Sequence, residues 1–315
     1  MSIIAYLIAY VAIVVFLGAV VAKVMAYKKL PQHVRWELYP VAHEASRAEH
    51  GGSYLEDVDW WKKERESSMV GELKVMIPEI LLLKGVWEHN KSLWWVSFPF
   101  HFGLYLLAAF AGLLLFGAVL HAGGVSMVPG AGGFAGLVIL ATKILGPVAY
   151  VLCGLGAVGL LVRRLSNREM RNYSSVGHYF NLILFMVTLG VALYTWRAYD
   201  PEFHAMRGFV YSLITFKMIK FDSALFATQM LMIFALMAYI PLTHMSHFFM
   251  KYFLWHDIRW GDEPNINTPE IDKRIGENLG QPVSWAAEHV HADGKKNWVE
   301  VASFNPMRPD GNEAE

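Results

Sequence analysis

The sequence predicts an all-α integral membrane bundle of five transmembrane helices, with an interfacial amphipathic helix and an extended cytoplasmic C-terminal tail. Three observations lead there. Of 315 residues, 55% are hydrophobic and only 17% charged, and the mean hydropathy is +0.33, too apolar for an ordinary water-soluble domain. Apolar runs occupy 3–26, 94–120, 134–162, 176–196 and 223–249, each long enough to cross about 30 Å of hydrocarbon at about 1.5 Å per helical residue. Basic residues gather at particular ends of those runs.

Residues 1–26 form the first span. The run lacks a basic leader and an Ala-x-Ala-like site and is too long for a signal peptide, so a retained helix is expected. Residues 27–93 make a polar cytoplasmic loop dense in Glu, Lys and Trp. Its second half, MVGELKVMIPEILLLKGVWEHN, is apolar but interrupted by charges and Pro78, the pattern of a helix lying along the interface. Residues 94–250 hold the other four spans. Residues 251–315 mix polar residues with Pro, Gly and Asn and cannot build a core of their own, so they are expected to order against a partner.

Lys23, Lys28, Lys29 and Arg35 follow the first span, and Arg163, Arg164, Arg168 and Arg171 fill the link between the third and fourth. Both basic clusters are therefore expected in the cytoplasm, which puts the N-terminus in the periplasm, the C-terminus inside and the chain in the inner membrane. The glycine-rich, uncharged HAGGVSMVPGAGG on the opposite side agrees. The 197–222 connection is less clean, because it carries Arg207, Lys217 and Lys220.

A formal charge of zero gives no basic face for nucleic acid. A single cysteine, Cys153, excludes an intrachain disulfide framework and an iron–sulfur cluster ligated by this chain alone. The chain is instead rich in histidine, with 13. An ionisable side chain inside a bilayer is a functional candidate by default. His101 is one, seven residues into the second span in SFPFHFGLYLL, with Gly103 beside it to let a bulky group or a neighbouring helix approach. His244 and His247 lie near the cytoplasmic end of the fifth span, in YIPLTHMSHFFMKYF, and antiparallel spans would bring them to the depth of His101. Haem iron in an electron-transfer cytochrome takes two axial ligands from opposite faces, and neutral imidazoles on facing helices supply them without adding charge. The alternative for each is a core histidine bonded to a carbonyl or serine. Spacing does not decide between His244 and His247, which share a helix face.

His178, opening the fourth span, is a third candidate, as a ligand or as a donor to a haem propionate. His121 and His204 fall on the outer side as surface residues, and His33, His43, His50, His89, His256, His289 and His291 lie in polar segments without zinc-like spacing. Lys143, next to Thr142 in the third span, could contact a quinone carbonyl or snorkel outward.

These segments resemble the membrane gamma subunit of respiratory nitrate reductase and its relatives, the cytochromes b associated with dissimilatory sulfite reductase and heterodisulfide reductase. The resemblance rests on HFG in the second span, LLVRRLSNREMRNYSSVG between the third and fourth, and YIPLTHMSHF at the fifth, in that family's order and spacing over about residues 94–250. It implies one cytoplasm-side haem b on His101 and His247. The gamma subunit's second haem would need ligands at the positions of Ala111 and Gln229, and neither residue can serve. The tail PVSWAAEHVHADGKKNWVEVASFNP is similar to the extension of cytochromes b that pair with heterodisulfide-reductase-like iron–sulfur proteins. The resemblance thus implies an electron-transfer subunit rather than a stand-alone enzyme. It would link menaquinone, or a periplasmic multihaem cytochrome c, to a cytoplasmic iron–sulfur subunit in anaerobic respiration of the sulfate-reducing kind. A haem-free, quinone-binding anchor is the alternative. A transporter would call for broken helices or paired midplane carboxylates, and no Asp or Glu lies in the spans apart from Asp222 at the margin of the fifth.

Overall fold

The computed structural model describes residues 2–29, 58–59, 62, 68–250 and 269–305. His33, His43, His50 and His256 lie outside the described residues. The chain divides into two units, residues 1–21 with 76–246, and residues 22–75 with 247–315.

The first unit is the membrane bundle. In chain order the described helices are α1 (Ser2–Lys28), α2 (Met69–Leu81), α3 (Lys84–His89), α4 (Lys91–Ala122), α5 (Gly133–Ser166), α6 (Arg168–Asn172), α7 (Val176–Ala198), α8 (His204–Thr215) and α9 (Ala224–Tyr239). Five are long and apolar enough to cross a membrane: α1, α4, α5, α7, and α9 continued to Leu242. The chain is thus an all-α multi-pass membrane protein. Pro99 and Pro147 sit inside α4 and α5 without ending them, because in lipid the backbone has no water to turn to and keeps its helical bonds.

Small residues bring α4 and α5 into close contact. A Cβ on Gly103 would fall 2.4 Å from the Cys153 nitrogen, and one on Gly156 would fall 2.3 Å from the Phe100 nitrogen. The backbones touch at these glycines, as small-residue seams in membrane helices do. Gly103 therefore admits the neighbouring helix rather than a bulky group. Phe100 then meets Phe185 of α7, ring centroids 5.4 Å apart, and both rings belong to the main apolar core. At the other end α1 docks by its first three turns. Tyr6 stacks on Phe209 of α8 at 4.6 Å, while the hydroxyls of Tyr6 and Tyr10 donate to the carbonyls of Ile219 and Leu213.

The fifth span departs from expectation. A continuous helix to residue 249 is predicted, but α9 ends at Tyr239 and gives way to short 3-10 turns at Ile240–Leu242 and His244–Ser246. Pro241 has no N–H to continue the ladder and its ring clashes with the preceding turn. His244 lies in the second of these turns and His247 just beyond it, so the two do not share one face of a continuous helix.

In the second unit, residues 269–305 carry local structure. Helix α10 (Pro269–Leu279) precedes a two-stranded antiparallel hairpin, β1 (Ala286–Ala287) and β2 (Ala292–Asp293), and helix α11 (Trp298–Ala302) follows. Trp285 packs edge-on against Trp298 at 6.0 Å, and His291 stacks on Phe304 at 4.5 Å. Asn297 and Glu300 close a reciprocal capping box on α11.

Candidate functional site

His178 and His244 meet at the end of the bundle where α4 and α7 begin and α5 and α9 finish, and His101 lies on α4 toward that same end. His101 lies about 15 Å up α4 from its start, at ten residues of about 1.5 Å each. Its Nδ1 is 2.8 Å from the carbonyl oxygen of Ser97 and 3.2 Å from the Ser97 hydroxyl. A carbonyl only accepts, so Nδ1 carries the proton and the lone pair stands on Nε2. This is the second bond by which a metal-ligating histidine is commonly oriented.

His178 is held the opposite way. It occupies the third position of α7 and closes a capping box with Ser175, its Nδ1 accepting from the Ser175 backbone N–H at 2.9 Å. With Nδ1 as acceptor, the neutral ring has its proton on Nε2, which makes that nitrogen a donor. His178 therefore suits an acceptor such as a carboxylate; ligating a metal through Nε2 would require another tautomer and the loss of the cap.

The His178 ring meets that of His244 edge-on at 4.9 Å. Asn181, on α7 and 6% exposed, accepts from the Tyr239 hydroxyl of α9 at 2.8 Å and turns its amide nitrogen toward His244 Nε2 at 3.5 Å. That direction gives His244 Nε2 the role of an acceptor from Asn181. Neither Asn181 nor Tyr239 is marked by the sequence reasoning, although one asparagine in the apolar run VGHYFNLILF is a visible signal. Ser97 is missed because it acts through its backbone. His247 follows Ser246 directly, is exposed and belongs to the second unit. Among the described residues no group of three or more His, Cys, Asp or Glu side chains is placed to hold a metal ion.

The opposite half of the bundle is packed with protein. Phe203, 1% exposed, sits at the α7–α8 corner with φ 52° and meets Phe110 at 4.7 Å and Tyr150 at 6.3 Å. A Cβ on Gly146 would fall 2.5 Å from its ring. Gln229 lies in this core, while Ala111 faces outward. Arg207 is 3% exposed, and none of its guanidinium nitrogens has a hydrogen-bond partner among the described residues. Burial pulls the Arg207 guanidinium below its ordinary value, against the opposing pull of Asp200 and Glu202. Asp200 accepts from the backbone N–H groups of Ala205 and Met206 and so caps α8. The ammonium of Lys143 is exposed and donates to the Glu202 carboxylate.

No protein-family model, curated protein or solved structure matches the chain.

Proposed function

We propose that this chain is the membrane cytochrome b subunit of an anaerobic respiratory complex. It would pass electrons between menaquinone, or a periplasmic multihaem cytochrome c, and a cytoplasmic heterodisulfide-reductase-like iron–sulfur subunit. The observation that carries the reading is His101, an intramembrane histidine whose Nδ1–H is fixed on the Ser97 carbonyl and whose Nε2 carries the lone pair. A bound b-haem supplies one-electron transfer at that point. His247 is assigned as the second axial ligand from its place in the YIPLTHMSHF motif. His244 is engaged by Asn181 and His178 by its capping box, so His178 suits a propionate contact better than an iron bond.

The packed outer half favours a single haem. Phe203, Phe110 and Tyr150 fill the core there, and Ala111 and Gln229 do not share a face. A single inner-side centre leaves the rest of the membrane to be crossed by a partner's centre or by a donor that binds deep. A quinone carbonyl at Lys143 would compete with Glu202. The haem-free anchor remains the rival, because the histidines are also satisfied within the protein. A dithionite-reduced minus oxidised spectrum of the purified chain separates the two. A b-type α-band is expected, and its absence overturns the cytochrome reading.

A further inference from the structure

The start of α4 presents two cations with no acidic partner among the described residues. Asn90 caps the helix, its Oδ1 accepting from the Leu93 N–H at 3.1 Å and from the Ser92 hydroxyl at 3.0 Å. Arg163, at the end of α5, donates to the Ser92 oxygen at 2.9 Å and to Asn90 Oδ1 at 3.4 Å, while its Nε is buried with no hydrogen-bond partner among the described residues. Lys91 Nζ stands over the Trp87 ring, 5.1 Å from its centroid. Lys84, the next cation along, is already paired with Glu88. Neutral oxygens and a ring face thus hold Arg163 and Lys91 in place while leaving their charge uncompensated.

Beside them stands an aromatic fence. Trp87, Trp94 and Trp95 meet edge-on at 4.8 and 5.2 Å, and Trp94 Nε1 donates to the Leu82 carbonyl. Such residues settle at headgroup level, with a polar edge in the interface and a ring toward the hydrocarbon. From Lys91 one exposed face of α4 runs through Trp95, 65% exposed, to Phe102, 39% exposed, with Phe98 stacked on Phe102 at 5.5 Å. A charged head and an apolar stripe along one helix match a phospholipid in outline.

We propose that this corner is a binding site for an anionic phospholipid, its phosphodiester on Lys91 and Arg163 and one acyl chain along Trp95 and Phe102. Charge selects the occupant. Two unpaired cations favour a headgroup with net negative charge over a zwitterion, whose own amine repeats the cation already there.

The test is native mass spectrometry of the detergent-purified full chain, titrated with phosphatidylglycerol and separately with phosphatidylcholine. Phosphatidylglycerol should bind more tightly, and K91Q/R163Q should weaken it by roughly tenfold to thirtyfold. R168Q/R171Q, which removes two exposed cations from α6, should retain tight binding. K91Q alone, at an exposed position, should show part of the loss with the fold unchanged. Equal binding of the two lipids overturns the site. So does undiminished phosphatidylglycerol binding in K91Q/R163Q, or an equal loss in R168Q/R171Q, which would mean general charge attraction.

Discussion

At the residue scale, proton placement separates histidines that look equivalent in the sequence. His101 has Nδ1 as a donor to Ser97, and His178 has Nδ1 as an acceptor from Ser175. The sequence identifies the costly residues at matching depth, but tautomers depend on local backbone bonds it does not display. On this account His101→Ala and His247→Ala each abolish haem binding, while His244→Ala and His178→Ala retain most of it; reduced-minus-oxidised spectra of the four variants check this. Greater loss in His244→Ala than in His247→Ala would reverse the assignment. Arg207 counts in the sequence only as one more cation of the 197–222 connection, and the structure buries it in α8. Asp200, 6% exposed, holds the Ala205 and Met206 backbone N–H groups, so Asp200→Asn should destabilise the protein by about 1–3 kcal/mol through the loss of a charged acceptor at two donors. Thermal unfolding in detergent measures it.

At the scale of elements, four spans could be read from apolar length because hydrocarbon thickness sets it. The fifth was overrun, since Pro241 sits in an apolar stretch that hydropathy alone cannot divide. Glycine spacing in α4 and α5 was visible, but the choice between a bulky group and a helix at Gly103 required the packing. Gly156→Ala should destabilise the bundle by about 1–3 kcal/mol, as overpacking does. Gly154→Ala, with nothing within 4 Å, should be close to neutral. Comparison of their unfolding midpoints provides the test. In the tail, the Lys296 and Lys295 backbone N–H groups hold the Asp293 carboxyl below its ordinary value. A lowered folded value means that the turn's stabilisation is complete above the ordinary carboxylate range and is lost as pH falls through the folded value. Hydrogen exchange at Lys295 and Lys296 should therefore lose protection only in acid, and Asp293→Ala should remove it at neutral pH.

At the scale of the whole molecule, the sequence shows the membrane class and the number of spans because both follow from composition and length. The small hairpin and helices of residues 269–305 were not legible, since a few short elements held by tryptophan contacts and caps leave no periodic pattern. Orientation rests on the arginine link at α6. After Cys153→Ser, a cysteine at Val128 should be labelled by an impermeant reagent in intact spheroplasts, and one at Tyr173, 82% exposed, only after the membrane is opened. The reverse pattern would invert the topology.

The single inner-side haem is the central claim, and haem quantitation by pyridine haemochrome, per mole of purified chain, tests it most directly. The account predicts one haem b per chain, lost in His101→Ala; two haems per chain, or none, would contradict it.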